Sequence, residues 1–266
     1  MARIRIEPEL AAAVVFDRVS LSMPRSRRRG GQGTRQRLRR LAGESSRQQV
    51  PVFTELSAEI LPGQSVALLG GGRSGREEFL RLAAGTLVPD SGRVHRKGRV
   101  VPILDDSRGQ TPSYTPRQNI YLTAGLLGMS PEETTERLEW IVDMAQAAKW
   151  LDSYLRGAPR NMRQRLVWTV SMATGARIFA IEKSLVIGHG EFMERCWSHV
   201  EGLRADGVTF LVAVDEREVL DRFCDRALVL KGGRVLADTT VAEGVELLRS
   251  SKRPDATDHV GDQDDN

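Results

Sequence analysis

Long hydrophobic runs are missing from this 266-residue chain: no stretch of about 18 apolar residues exists that could span a bilayer. The opening Met1-Ala2-Arg3-Ile4-Arg5 has no apolar core of the kind a secretion signal needs, so no export of the chain itself is expected. Cysteine is scarce. Two residues, Cys196 and Cys224, make no disulfide framework and suit a reducing compartment as small buried hydrophobes. Histidine is scarce too: His95, His189, His199 and His259 are scattered and form no ligand set.

Aromatics make up 5% of the chain, and none falls in its most basic segment. Between Arg25 and Arg47 stand nine arginines and one acid, Glu44, a local +8 in a chain whose net charge is +4. The pI therefore reports one segment and not a basic fold. That segment reads as a solvated loop or as a patch drawn to anionic lipid headgroups, worth roughly 1 kcal/mol per basic residue near the surface. No nucleic-acid partner is expected, because nothing there is interleaved to stack on bases. Beyond Ser250 the tail carries five aspartates and almost no apolar residues, the composition of a disordered segment.

What is present is organised around Val66-Ala67-Leu68-Leu69-Gly70-Gly71-Gly72-Arg73-Ser74-Gly75-Arg76-Glu77-Glu78-Phe79-Leu80. An apolar run enters a glycine cluster and leaves with apolar residues at helical spacing. Strand, tight loop and helix in that order let backbone N–H groups and a helix N-terminus surround a phosphate. The phosphate-loop pattern is G-x-x-x-x-G-K-[ST]. Gly70 and Gly75 hold its glycine positions; Arg76 stands in place of lysine, and Glu77 in place of the hydroxyl that holds magnesium.

The surroundings extend the pattern. Leu82-Ala83-Ala84-Gly85-Thr86-Leu87-Val88-Pro89-Asp90-Ser91-Gly92 follows the loop, and Phe53-Thr54-Glu55-Leu56 to Pro62-Gly63-Gln64 precedes it. Further on come Thr115-Pro116-Arg117-Gln118-Asn119-Ile120-Tyr121 and Leu126-Leu127-Gly128-Met129-Ser130. From about Val14 to about Asp238 the chain resembles the nucleotide-binding subunits of ATP-binding-cassette (ABC) transporters. Within them it resembles the branch that exports capsule, O-antigen and teichoic acid, where T-x-R-E-N-I-Y followed by L-L-G-x-S is typical. The resemblance implies an α/β fold of the P-loop NTPase type: a mixed sheet core, a helical subdomain at about 112–170, and a small antiparallel β subdomain. It divides the chain into an N-terminal segment 1–13, a cassette 14–250 with an arginine-rich insertion 25–49, and the acidic tail 251–266.

It further implies ATP and magnesium as cofactors and a transmembrane permease as partner. It implies pairing of cassettes as a homodimer or heterodimer, and a cytoplasmic place on the inner face of a bacterial inner membrane. The positions it marks for nucleotide are Gly70, Gly72, Arg73, Ser74, Gly75, Arg76, Glu77, Glu78, Gln110 and Glu182. Glu77 and Glu182 fall on its magnesium positions. Arg160, Asn161 and Met162 fall where the family's S-S-G-M signature binds the nucleotide of the opposite subunit. Lys183 stands at the general-base position, Asp215 at that of the histidine contacting the terminal phosphate, and His189 replaces a loop aspartate. Met23 sits where an aromatic stacks on adenine, and a core role suits it equally.

Scaffold residues thus follow the family while the chemical ones depart from it. A lysine at the base position cannot accept a proton from water. A carboxylate about 4 Å from a phosphate oxygen costs roughly 4 kcal/mol at an effective dielectric near 20, before screening. The expectation is a pseudo-ATPase subunit; a slow but working ATPase and a polybasic membrane-surface adaptor are the alternatives. The exchanged charges also suggest that Lys183 and Arg76 pair with Glu77 or Glu182. Val14–Ser22 reads as an edge strand, and Pro131 opens a helix with Leu138, Ile141, Val142 and Ala145 on one face.

Overall fold

A computed structural model describes residues 11–24, 49–104, 110–159, 161–183, 187 and 190–250. The 25–47 arginine segment, Arg160, His189 and the tail 251–266 lie outside the described residues, as do 105–109 of the loop before Gln110.

Two sheets carry the fold. The larger has the order β5-β6-β7-β3-β8-β9, made by β3 (Ser65–Gly70), β5 (Val100–Ile103), β6 (Ile178–Lys183), β7 (Thr209–Val214), β8 (Arg226–Lys231) and β9 (Arg234–Thr239). The first five run parallel and β9 turns back antiparallel, so the sheet is mixed. All six residues of β7 and five of six in β3 are buried, the continuous apolar run of a strand covered on both faces. Alternate side chains go to opposite sides. Val66 and Leu68 join one core and Ala67 and Leu69 the other.

The smaller sheet is antiparallel with the order β2-β1-β4: β1 (Val14–Pro24), β2 (Gln49–Ile60) and β4 (Ser91–Arg96). β1 is its middle strand, paired on both sides, which corrects the expectation of an edge. Its alternating burial registers one packed face, and one packed face does not distinguish a central strand from an edge. Met23 packs part-buried against the core, the structural role among its two readings.

Helix α1 (Arg76–Ala84) lies between the two sheets and buries Phe79, Leu80, Leu82 and Ala83. The ring of Phe79 stacks on Phe16 of β1 at 4.1 Å. On the other face of the large sheet lie α5 (Glu191–Ala205), α6 (Arg217–Phe223) and α7 (Val241–Ser250).

A third core is built by α2 (Pro116–Leu126), α3 (Pro131–Met144) and α4 (Met162–Met172), around Ile120, Ile141, Ala145, Leu166 and Val170. Leu138 and Val142 pack part-buried against it, on the face that the spacing indicates. Thr115 and Ser130 each close a capping box with the residue three on, Gln118 and Glu133, followed by proline in the first turn. No helix among the described residues is long and apolar enough to cross a membrane.

Both cysteines are buried and free. Burial pushes the Cys196 thiol up to about 11 and that of Cys224 to about 12. The thiolate is the reactive form, so neither is expected to react with an aromatic disulfide reagent at pH 8 in the native protein. Both should react in denaturant, and rapid native labelling would show that α5 or the α6–β8 turn opens.

Candidate phosphate-loop site

The carboxyl ends of β3, β6 and β7 meet at the N-terminus of α1, the position where parallel sheets place ligands. β3 ends at Gly70, residues 71–74 turn, and Gly75 caps α1 in the left-handed region at φ 90°. Glycine is demanded twice. A Cβ on Gly75 would fall 2.6 Å from the Phe53 ring, and one on Gly70 would fall 2.3 Å from Ser74 Oγ and 2.8 Å from the Leu230 carbonyl. Gly71 and Gly72 face open space.

The loop is partly self-satisfied. The Ser74 amide donates to the Gly71 carbonyl at 2.9 Å, and the Phe79 amide to Gly75 at 2.8 Å. Among the described residues, no side chain caps the first turn of α1. Ser74 is 8% exposed, and its hydroxyl, held against Gly70, has no hydrogen-bond partner among the described residues. Arg73 lies in the exposed turn, and Glu77 and Glu78 occupy the first turn of α1, where acids complement the helix dipole.

The charges pair differently from the expectation. Arg76 Nη1 bonds Asp215 Oδ1 at 2.8 Å, across 139 positions of sequence. Glu77 is bridged by Arg81, one turn on in the same helix. Neither Arg76–Glu77 nor Lys183–Glu77 pairing forms among the described contacts. Glu182 sits among Glu77, Lys183, Arg81 and Arg76. Burial and the Glu77 carboxylate raise its pKa, while the three cations oppose that rise. Lys183 ends β6 opposite Val214 of β7, exposed and in the left-handed region at φ 70°. A non-glycine residue there carries strain of order 1–3 kcal/mol.

Magnesium does not fit this arrangement. The ion needs oxygen ligands free to turn toward it, in near-octahedral geometry. Glu77 is already bridged by Arg81, and the Lys183 ammonium follows Glu182 at the end of β6, so each carboxylate at a magnesium position has a cation beside it.

Gln110 Nε2 donates to the Arg163 carbonyl at 3.1 Å, tying the loop after β5 to the start of α4, while its Oε1 is buried without a partner among the described residues. Asn161 opens α4 with ordinary helical angles (φ −80°, ψ −9°) and no side-chain cap bond among the described residues, and Met162 is buried in the helical core. Two residues at or near the site escaped sequence reasoning. Arg81 was legible as an i,i+4 partner of Glu77. Fully buried Asn119 accepts from the Thr111 amide at 2.7 Å and donates to the carbonyls of Thr111 and Thr115, fixing the chain beyond Gln110.

The two sheets, the phosphate loop between β3 and α1 and the separate helical core together define a P-loop NTPase cassette of the ABC type. Its structural likeness is to such cassettes: an ATP-binding subunit of an ABC transporter superposes with a TM-score of 0.67 at 17% identity, covering 89% of this chain and 94% of that one. No family model matches the chain. In sequence, the ABC transporter protein AbcA of Aeromonas salmonicida is 30% identical over 182 residues, 68% of this chain and 59% of that protein. An O-antigen export system ATP-binding protein of Klebsiella pneumoniae is 28% identical over 197 residues, 74% of this chain and 80% of that one. The curated relatives are ATP-binding subunits of export systems for O-antigen, polysialic acid and teichoic acids.

Proposed function

We propose that this chain is the nucleotide-binding-type subunit of a polysaccharide ABC exporter, that it hydrolyses ATP poorly or not at all, and that it acts by docking on a transmembrane permease. It works from the cytoplasmic face of the membrane, paired with a second copy or with another ABC subunit. The family of relatives supports the exporter, and the site supports the loss of catalysis. The observation that carries the second point is Lys183 at the end of β6, beside Glu182. An ammonium group there cannot serve as general base, and proton abstraction by a positioned group contributes typically 10²–10⁴-fold to such rates.

Composite-site arithmetic agrees. ABC sites join one subunit's phosphate loop to the other's signature, and this chain departs from the family at both Glu77 and Asn161. Phosphate release from ATP and magnesium by the purified chain is expected to stay at the level of a buffer blank. It is expected to remain there after Lys183→Glu, because Glu77 still replaces the hydroxyl. Steady turnover by the native chain would establish the slow-ATPase reading instead.

A further inference from the structure

Between α3 and α5 opens a cleft of about 390 Å³ that shares no residue with the phosphate-loop site. Trp140 and Met144 of α3 and Leu203 of α5 give it apolar walls, and Trp140 keeps 37% of its surface exposed. The indole is braced by the His199 ring at 5.0 Å, and His199 in turn meets Trp168 of α4 at 6.1 Å. Arg195, Ser198 and Asp206 bring polar groups to the same cleft. Gly202 lies among them on α5, and a Cβ there would meet nothing within 4 Å. A glycine inside a helix weakens it, and neither a positive φ nor a close neighbour calls for this one. Its effect is to leave the α5 backbone open to close approach from within the cleft.

We infer that this cleft binds a neutral pyranose sugar, with the C–H face of the ring on Trp140 and the hydroxyls toward Arg195, Ser198 and Asp206. The inference goes beyond the exporter reading and is independent of whether the phosphate loop takes nucleotide. Charge in the cleft selects against ions. Arg195 donates to both the carbonyl and the carboxylate of Asp143, so it offers no unbalanced charge to an anion, while its remaining N–H groups can still meet a hydroxyl. Asp206 adds a carboxylate that repels anions and accepts strongly from O–H donors. Burial lowers the pKa of His199 and keeps its ring uncharged. The face of an indole is electron-rich and apolar, and it attracts the polarised C–H groups of a saturated ring. A pyranose joins such a face to hydroxyls that both donate and accept, and the cleft offers a partner for each. A flat heteroaromatic ring would cover Trp140 but leave most of the polar groups without a ligand atom.

The test is titration of the full chain with the methyl glycosides of glucose, galactose, mannose and N-acetylglucosamine, followed by saturation-transfer NMR and by tryptophan fluorescence. Millimolar binding of at least one glycoside is expected, with transfer strongest to the ring C–H protons and unchanged by added ATP. Trp140→Ala should weaken binding about tenfold or more. Gly202→Phe should abolish it, because the new ring enters the cleft while every group that lines it stays in place. That second variant, at an exposed position with open space around it, keeps the test decisive should Trp140→Ala unfold the protein. No transfer to any of the four glycosides at high millimolar concentration overturns the inference, as does transfer that survives Gly202→Phe. Binding of adenine in their place, lost in Gly202→Phe, would assign the cleft to a flat ring and overturn it as well.

Discussion

Phe79→Ala is expected to destabilise the protein by about 3–5 kcal/mol, the usual cost of emptying a large aromatic site in a core. Phe79 is fully buried and stacks on Phe16 at 4.1 Å with an interplanar angle of 24°. It belongs to the cluster that holds α1 against both sheets. Its removal therefore loses ring–ring contact and leaves a space that neither sheet can fill without moving strands. Against a total stability of roughly 5–15 kcal/mol, this is a large share. The urea midpoint should fall steeply with little change in slope. Val88→Ala, where the side chain is 79% exposed, should move it by less than about 0.5 kcal/mol. An unfolding free energy within about 1 kcal/mol of the parent's would mean that α1 is not clamped between the sheets as described.

The parts of this architecture that were legible in sequence are those whose signal is local. Val66–Leu69 reads as a strand because its apolar run is continuous, and the Gly70–Gly75 spacing announced a strand-to-helix turn. Pro131 with its acidic first turn announced α3. What could not be read is long-range pairing. The burial pattern of Val14–Pro24 shows one packed face, and nothing local says that β2 and β4 flank it. Nor does it show that Arg18 and Glu55 sit at φ 45° and φ 50° where the register slips.

The candidate site divides in the same way. Its residues were identified from motif positions, but the identity of each charge partner depends on which strand ends meet. Arg76 was expected to reach Glu77 or Glu182, and it reaches Asp215 because β7 lies next to β3 in the sheet. Glu77–Arg81 needed only helical spacing and was available from sequence alone. Charge exchange between motifs was therefore visible as a set, while its pairing required the topology.

Gly92→Ala is expected to cost about 2–6 kcal/mol, through two effects that a second variant separates. Gly92, the second residue of β4, sits at φ 80°, a region that costs an ordinary residue roughly 1–3 kcal/mol. A Cβ there would also stand 2.2 Å from the Arg18 carbonyl oxygen and 2.6 Å from that of Asp17. Both obstacles are backbone, so no rotamer change relieves them, and overpacking of this kind adds about 1–3 kcal/mol. The Arg18 segment has little freedom to retreat. Its amide is bonded to Ser57 Oγ at 3.1 Å, and the facing Glu55 amide to Ser20 Oγ at 3.0 Å. Gly98 supplies the control, with φ 104° and nothing within 4 Å of its would-be Cβ. Gly98→Ala should therefore show the backbone cost alone. Chemical denaturation of both variants is expected to place Gly92→Ala lower by about 1–3 kcal/mol. Equal losses would mean that β4 slides off β1 without resistance, and that the small sheet is held chiefly by β2 and by the packing of α1 beneath it.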